Sequence, residues 1–180
     1  MSTAPKYRPH YTVEDYQLWE GDWELWSGIA VAMSPGPFGP HASAHVRMAT
    51  ALSNAIDTGA CSATVLAEID WIISRDTVLR PDLTIVCGPA PERHVEQVPA
   101  LVVEVLSEST RERDLTFKKN LYQQEGVAWY LIVDPHNQTL QALRLIDGEY
   151  QAMPHAETLD IDLCDTCSLN VDVTRLFSQV

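Results

Sequence analysis

The sequence is poor in positive charge and contains no long hydrophobic run. Only 12 of its 180 residues are Lys or Arg, against 25 Asp and Glu, so the formal net charge is −13. Because binding to phosphate groups depends on basic side chains, this composition disfavours a broad, charge-driven grip on DNA or on an anionic membrane, while leaving room for a local basic site. No apolar run approaches the roughly 20 residues that cross a bilayer, and no secretory signal is recognised. We therefore expect a cytoplasmic protein without membrane contact.

Cysteine is also scarce, with four residues at Cys61, Cys87, Cys164 and Cys167. The last two have the spacing of a zinc knuckle, but no second CxxC or nearby CxxH completes four ligands. Cys61 or Cys87 would complete the set only by a coincidence of folding. We expect no structural zinc, and thiols that are reduced, as is usual in the cytoplasm.

The length and composition are those of an ordinary globular protein, with 46% hydrophobic and 21% charged residues. We expect one domain over residues 1–180, long enough to bury a substantial core. Helical patterns cover 41–56 and 111–125, and a rigid, proline-rich loop covers 34–40. Strands are predicted at 23–33 (a hairpin turning at Ser27-Gly28), 64–74, 79–86, 99–106, 128–133, 140–145, 149–153 and 159–163, with a last helical turn at 173–177. This order favours an α/β fold in which a mixed β-sheet is flanked by the two helices.

Two of the predicted strands each carry one carboxylate, Asp82 in 79–86 and Glu104 in 99–106. Both runs are rich in Leu, Ile and Val, as are strands buried on both faces, where an unpaired carboxylate costs several kcal/mol. One divalent cation would satisfy both acids, and oxygen ligands favour Mg²⁺ or Mn²⁺ over zinc. The alternative is that each acid lies near a strand end and is hydrated or paired with Arg80.

The helix predicted after Glu104 carries Asp114, Lys118 and Tyr122 on one face, since they are four residues apart. On an exposed face, the Asp–Lys pair would contribute only ~0.3–0.5 kcal/mol. A short connection would instead fold the helix back across the strand end and bring Lys118 near Asp82 and Glu104. Two carboxylates, a divalent cation and an ammonium group suit phosphodiester hydrolysis, in which the metal polarises the phosphoryl oxygen and the lysine orients water or neutralises developing charge.

Three further residues are ambiguous at this stage. Glu24 lies on a predicted strand, where a lone glutamate is usually a solvated residue. His41 and His45 share one helix face and could chelate a metal. Without a clear third ligand, the interpretation as polar surface at the start of a helix is favoured.

An ordered set of motifs runs from about Tyr11 to Leu145. They are Trp23-Glu24-Leu25 before Gly28, Met33-Ser34-Pro35, His41, Pro81-Asp82, Glu104-Val105-Leu106-Ser107, Arg111-x-x-Asp114-x-x-x-Lys118-x-x-x-Tyr122, Gly126-Val127 and Tyr130-Leu131-Ile132-Val133-Asp134-Pro135. This set resembles the Uma-two family of restriction-endonuclease-like proteins, which belongs to the PD-(D/E)XK nuclease superfamily.

The resemblance implies a restriction-endonuclease-like mixed β-sheet core and a Mg²⁺ (or Mn²⁺) site built on Asp82 and Glu104. The main-chain oxygen of Val105 would be a further metal ligand, and Glu24 an accessory acid. In the wider superfamily a lysine stands two residues after the second acid, where this chain has Leu106.

The family spacing assigns the catalytic lysine to Lys118 rather than to Lys119. Trp129 stands where the family usually carries Glu, and we interpret it as a packing change outside the metal site.

The resemblance implies a metal-dependent endonuclease that acts on nucleic acid. DNA is the expected substrate, and the protein is expected to be a homodimer. A binding or regulatory module that keeps the nuclease fold is the main alternative, and a small-molecule hydrolase lacks a nucleophile motif such as GxSxG.

Overall fold

The computed structural model describes residues 9–33 and 39–177, so most of the predicted loop 34–40 lies outside the described residues. The elements in chain order are α1 (Val13–Tyr16), β1 (Trp23–Trp26), β2 (Ile29–Ala32), α2 (Gly39–Gly59), β3 (Ala63–Ala67), β4 (Trp71–Ser74), β5 (Thr77–Leu79), β6 (Leu83–Cys87), β7 (Leu101–Val105), α3 (Arg111–Arg113), a π-helical turn (Asp114–Lys118), α4 (Lys119–Gln124), β8 (Trp129–Asp134), β9 (Thr139–Ile146), β10 (Glu149–Met153), β11 (Thr158–Leu163) and β12 (Cys167–Asp172). None of these helices is long and apolar enough to cross a membrane.

The centre of the fold is a six-stranded sheet in the order β10-β9-β8-β7-β6-β3. Strands β7 and β8 are parallel and the other neighbours are antiparallel, which confirms the predicted mixed sheet. One face packs against α2 and the β11–β12 hairpin. The other face packs against α4 and against β4 and β5 of a second sheet, ordered β2-β1-β5-β4. Alternate residues of β7 therefore enter different cores.

Two predicted strands are each divided between the two sheets. The run 79–86 breaks at Pro81, so that β5 belongs to the small sheet and β6 to the large one. Proline has no N–H for a ladder hydrogen bond, which is why the strand ends there. The run 64–74 likewise divides into β3 and β4, with Glu68 between them at φ +51°. Asp82 consequently lies at the entrance of β6 and not inside a continuous strand.

The C-terminal part forms a β-hairpin of which only the first strand was predicted from the sequence. The predicted strand 159–163 is β11, and its partner β12 was missed. Both strands alternate buried and exposed residues, and their buried side chains pack in the core that contains α2. The predicted helical turn at 173–177 is wrong, because these residues form a hydrogen-bonded turn and no helix.

The expectation of reduced thiols is wrong for this structure. Disulfide bonds join Cys61 to Cys167 and Cys87 to Cys164, and no cysteine is free. The bonds attach the β11–β12 turn to residues at the ends of β3 and β6. Because all four sulfur atoms are bonded in pairs, the Cys164–Cys167 spacing reflects a stapled hairpin and not a zinc knuckle.

Candidate active site

The two acids predicted to bind metal lie side by side at the end of the large sheet. Strands β6 and β7 pair with Leu83 opposite Val103, so Asp82 reaches the level of Glu104 one residue further along. The Val105 N–H donates a hydrogen bond to Asp82 Oδ2 at 2.6 Å. Their proximity agrees with the sequence analysis, although their role as metal ligands stays a prediction.

The alternative pairing of Asp82 with Arg80 is wrong. The Arg80 guanidinium instead donates to Asp70 at 2.7 Å and to Asp22 at 2.8 Å. Because the guanidinium group is paired with these two acids, it does not pair with Asp82. The Asp82 side chain is about one-fifth exposed at the end of the sheet.

The helix after β7 contains a π-helical turn, and Lys118 at the end of that turn reaches the acids. Asp114 and Lys118, the first and last residues of that turn, are 2% and 5% exposed, and Tyr122 is fully buried one turn later. Lys119 is only partly buried. The predicted stripe therefore faces the sheet, and the widened turn lies at a candidate site, as such turns often do.

The ammonium group of Lys118 lies among three carboxylates. Its Nζ is 2.9 Å from Glu104 Oε1, 3.1 Å from Glu24 Oε1 and 3.8 Å from Asp114 Oδ1. The Tyr122 hydroxyl donates to the same Glu104 oxygen at 2.5 Å. Lys118 and Tyr122 thus fix the orientation of Glu104 inside the protein.

Glu24 is a buried member of this cluster, and its interpretation as a solvated strand residue is wrong. Trp26 Nε1 donates to Glu24 Oε2 at 3.0 Å, and the Arg80 N–H donates to Oε1 at 2.9 Å. With both oxygens occupied, Glu24 is placed to hold Lys118. The residue pattern alone could not reveal this contact, because β1 and the lysine are more than ninety residues apart, although the family resemblance implies Glu24 as an accessory acid.

The cluster contains more carboxyl groups than cationic groups. Four carboxylates (Glu24, Asp82, Glu104 and Asp114) surround one lysine ammonium. Burial raises the pKa of Glu104 well above its ordinary value, and although Lys118 lowers it, the charges of Asp114 and Asp82 raise it further. Burial also raises the pKa of Asp114. A buried excess of negative charge is costly unless a cation offsets it.

The residues fit a hard divalent cation by their chemistry. The hydrogen bonds of Asp82 and Glu104 use Oδ2 and Oε1, so each acid keeps one oxygen without a hydrogen bond in the described part of the chain. Oxygen donors are what Mg²⁺ and Mn²⁺ take. No group of three or more His, Cys, Asp or Glu side chains is already arranged to hold a metal among residues 9–33 and 39–177.

The two helix histidines also face this site, so their interpretation as polar surface is wrong. His41 Nε2 lies 3.7 Å from Asp82 Oδ2, and His45 Nε2 lies 2.9 Å from the main-chain oxygen of Asp82. Burial lowers the pKa of His41, but Asp82 and the Val105 backbone raise it more, so the net shift is upward. For Asp82 burial raises the pKa, and His41 with the Val105 N–H lowers it below its ordinary value.

The chain matches one family model and resembles known proteins over most of its length. The family model described as "Putative restriction endonuclease", Uma2, matches residues 13–174. This chain belongs to the Uma2 family. The match covers α1 through β12 and includes every residue of the cluster around Lys118.

Two proteins resemble the chain over nearly its whole length. The uncharacterized protein slr1290 of Synechocystis sp. is 29% identical over 178 residues, covering 92% of this chain and 91% of that protein. The crystal structure of a "putative nuclease belonging to DUF820" from Anabaena variabilis superimposes with a TM-score of 0.74 at 17% identity, covering 93% of this chain and 97% of that one. At that identity the second likeness establishes the fold.

Arg111, Asp134 and Trp129, which the sequence analysis compared with the family, make contacts that support the fold. Arg111 and Asp134, at the helix start and at the end of β8, form an ion pair at 2.5 Å, which fixes the helix that carries Lys118. Trp129 is 2% exposed and donates from Nε1 to the main-chain oxygen of Asp162 at 3.0 Å. It packs with the C-terminal hairpin on the face opposite Glu104, which agrees with its interpretation as a packing change.

Proposed function

We propose that this chain is a metal-dependent endonuclease that hydrolyses phosphodiester bonds in nucleic acid, with DNA as the expected substrate. The observation that carries the proposal is the buried excess of carboxylates around Lys118 at the end of the central sheet. Membership of the Uma2 family supports the same class of activity.

Asp82, Glu104 and the main-chain oxygen of Val105 would hold Mg²⁺ or Mn²⁺. When bound, such a cation polarises a phosphoryl oxygen and lowers the pKa of a bound water. Lys118 supplies a preorganised positive charge next to Glu104, suited to a transition state in which negative charge grows on phosphate. Glu24 acts indirectly, because its carboxylate positions the lysine.

The acidity of the protein predicts how the substrate binds. With a net charge of −13, the chain repels phosphate until a divalent cation neutralises the carboxylates. We therefore expect weak, local and metal-dependent affinity for nucleic acid. This separates the nuclease from the alternative, a regulatory module that binds without metal.

The direct test is cleavage of single- and double-stranded DNA and RNA with Mg²⁺, with Mn²⁺ and with a chelator. We expect cleavage with metal only, and a loss of at least about 100-fold in Asp82→Asn, since the site then lacks one of its two acids. Asp160→Asn is the matched control, because Asp160 is an exposed acid on β11. Cleavage that resists the chelator, or equal rates in both variants, would contradict the proposal. Metal-independent binding without cleavage would support the regulatory module.

We also propose that the protein is a homodimer, as the family resemblance implies. Strand β10 ends the six-stranded sheet and leaves a row of main-chain groups that a second copy could pair with. Light scattering should give a mass near twice 20.1 kDa at micromolar concentration. A monomer mass across that range would rule the dimer out.

A further inference from the structure

We infer that Arg113 is a substrate-positioning residue whose guanidinium group binds the phosphate of the nucleic acid next to the one that is cut. The inference rests on the proposed function, since it concerns the same substrate. It assigns a role to a residue that lies outside both the predicted site and the motifs of the family resemblance.

Arg113 lies on the flank of the candidate active site. Its guanidinium carbon lies over the Trp26 ring, 5.9 Å from the ring centroid. The Trp26 indole N–H donates to Glu24 Oε2 at 3.0 Å, and Glu24 Oε1 lies 3.1 Å from Lys118 Nζ. Arg113 also directly precedes Asp114, whose Oδ1 is 3.8 Å from the same ammonium group. One aromatic ring and one carboxylate therefore separate the guanidinium group from the lysine that we assign to catalysis.

The guanidinium group of Arg113 has no acidic partner. Within the described part of the chain, its side chain forms no ion pair and no hydrogen bond. Arg111, two residues earlier on the same helix, is in contrast paired with Asp134. The rest of the chain contains no Asp or Glu, since it consists of residues 1–8, 34–38 and 178–180. The sequence therefore supplies no further acidic side chain that could neutralise Arg113.

The terminal nitrogen atoms of Arg113 are accessible to a ligand. Of the three guanidinium nitrogens, only Nε is buried without a partner in the described part of the chain, and the residue as a whole is partly exposed. The two terminal nitrogens therefore face solvent with their N–H groups unused. The Trp26 ring beneath them is itself stacked on Phe117, with 4.2 Å between the ring centroids. A guanidinium group held on such a support loses less freedom when it binds a ligand.

Arg144 provides the contrast, because it makes the same kind of ring contact elsewhere. Its guanidinium carbon is 5.5 Å from the Trp129 centroid, but its Nη2 lies 3.7 Å from Asp162 Oδ2. Trp129 belongs to the core on the other side of the sheet, with α2 and the C-terminal hairpin. An arginine that covers a tryptophan can thus be paired with an acid in this protein, and the one beside the candidate site is not.

A phosphate of the substrate backbone is the ligand that suits this group. The planar guanidinium fork matches phosphate oxygens and can donate two parallel hydrogen bonds to them. The phosphate that is cut lies with the cation at the two acids, whereas Arg113 lies to the side, beyond Trp26 and Glu24. The neighbouring phosphate of the same strand is therefore the one within its reach. Such a contact fixes the position of the strand without reading its sequence.

The experiment is single-turnover cleavage of a labelled DNA oligonucleotide with Mn²⁺ at varied protein concentration, which separates the half-saturating concentration from the maximal rate. Arg113→Gln should raise the half-saturating concentration about tenfold or more, because charge-assisted hydrogen bonds are lost. The maximal rate should change less than about twofold. The salt dependence of binding should fall by about one phosphate contact. Arg144→Gln is the matched control and should behave like the wild type.

Two further variants separate charge from packing. Arg113→Met is a second neutral variant, which keeps an apolar side chain over Trp26 and should lose affinity as Arg113→Gln does. Arg113→Lys keeps the charge, so it should restore the salt dependence but not the full affinity. Circular dichroism verifies that each variant is folded.

A neutral methylphosphonate, placed at one phosphate of the DNA at a time, locates the contact. We expect one position beside the cleaved phosphate to weaken binding to the wild type and to have no further effect on Arg113→Gln. The two changes are not additive there, because each removes the same interaction. Additive losses at every position would contradict the assignment.

The other outcomes distinguish this inference from the proposed function. Cleavage with equal half-saturating concentrations in the wild type and Arg113→Gln, or the same loss in Arg144→Gln, would overturn the inference while the nuclease proposal stands. A lower maximal rate at an unchanged half-saturating concentration would also overturn it, since Arg113 would then act through Trp26 and Glu24. A wild type that neither binds nor cleaves the DNA would overturn the inference together with the proposed function.

Discussion

Replacing Lys118 by methionine is expected to lower metal-dependent cleavage by about 100-fold or more, whereas the same change at Lys119 leaves it near the wild-type rate. The loss corresponds to removal of one preorganised charge from the transition state. Lys118 lies within 3.1 Å of both Glu104 and Glu24. Lys119, in contrast, forms no ion pair with a described residue. The measurement is single-turnover cleavage of the preferred substrate with Mn²⁺ by the wild type and both variants.

The control for this prediction must separate catalysis from folding. Lys118→Met leaves buried carboxylates without their partner, and breaking a buried ion pair in this way costs about 3–5 kcal/mol. The double variant Lys118→Met/Glu24→Gln removes one of the orphaned charges and should regain part of that stability in urea unfolding. We expect it to stay inactive while still binding Mn²⁺. Recovery of cleavage in the double variant would mean that the lysine only balances charge.

Reduction of the two disulfide bonds is expected to lower the free energy of unfolding by roughly 2–5 kcal/mol for each bond. The bonds close long loops, with sequence separations of 106 and 77 between the paired cysteines, and so restrict the unfolded chain. They also hold the β11–β12 hairpin on the core it shares with α2. Urea unfolding with and without a dithiol reductant measures the change, and thiol titration counts the cysteines.

Variants that lack one disulfide bond at a time show how much each bond contributes to stability and whether cleavage depends on it. Cys61→Ser/Cys167→Ser and Cys87→Ser/Cys164→Ser should each be destabilised, and reductant should have no further effect on the quadruple variant. Cys87 ends β6 and Asp82 precedes it, about 16 Å away for five strand residues. Cleavage by folded variants should therefore persist. Four reactive thiols in protein purified without reductant would contradict this prediction.

The disulfides also bear on the compartment. The sequence predicts a cytoplasmic protein, and disulfide bonds are uncommon in the cytoplasm because thiols are kept reduced there. Cytoplasmic localisation stays a prediction, and it conflicts with the paired cysteines of the structure. The thiol titration resolves the conflict if it is repeated on protein trapped by an alkylating reagent at the moment of lysis.

The sequence by itself determined the parts of this protein that depend on local pattern. Apolar runs with one carboxylate each singled out Asp82 and Glu104 as candidates, and the four-residue spacing, together with the family resemblance, singled out Lys118; their roles stay predictions. Periodicity carries this information because a side chain's direction follows from its position along a helix or strand. The mixed sheet followed from the order of the elements.

Only the tertiary structure shows how residues distant in the sequence meet at the candidate site, although the family resemblance had already named Glu24 as an accessory acid. Glu24 meets Lys118 across more than ninety residues, and His41 reaches Asp82 from the first turn of α2. The cysteine pairing and strand β12 were not predicted from the sequence either. A hydrophobic pattern shows that a residue is buried but not which partner it packs against. Periodicity also could not foresee that Pro81 divides a strand between two sheets. That division sets Asp82 at the end of the large sheet beside Glu104.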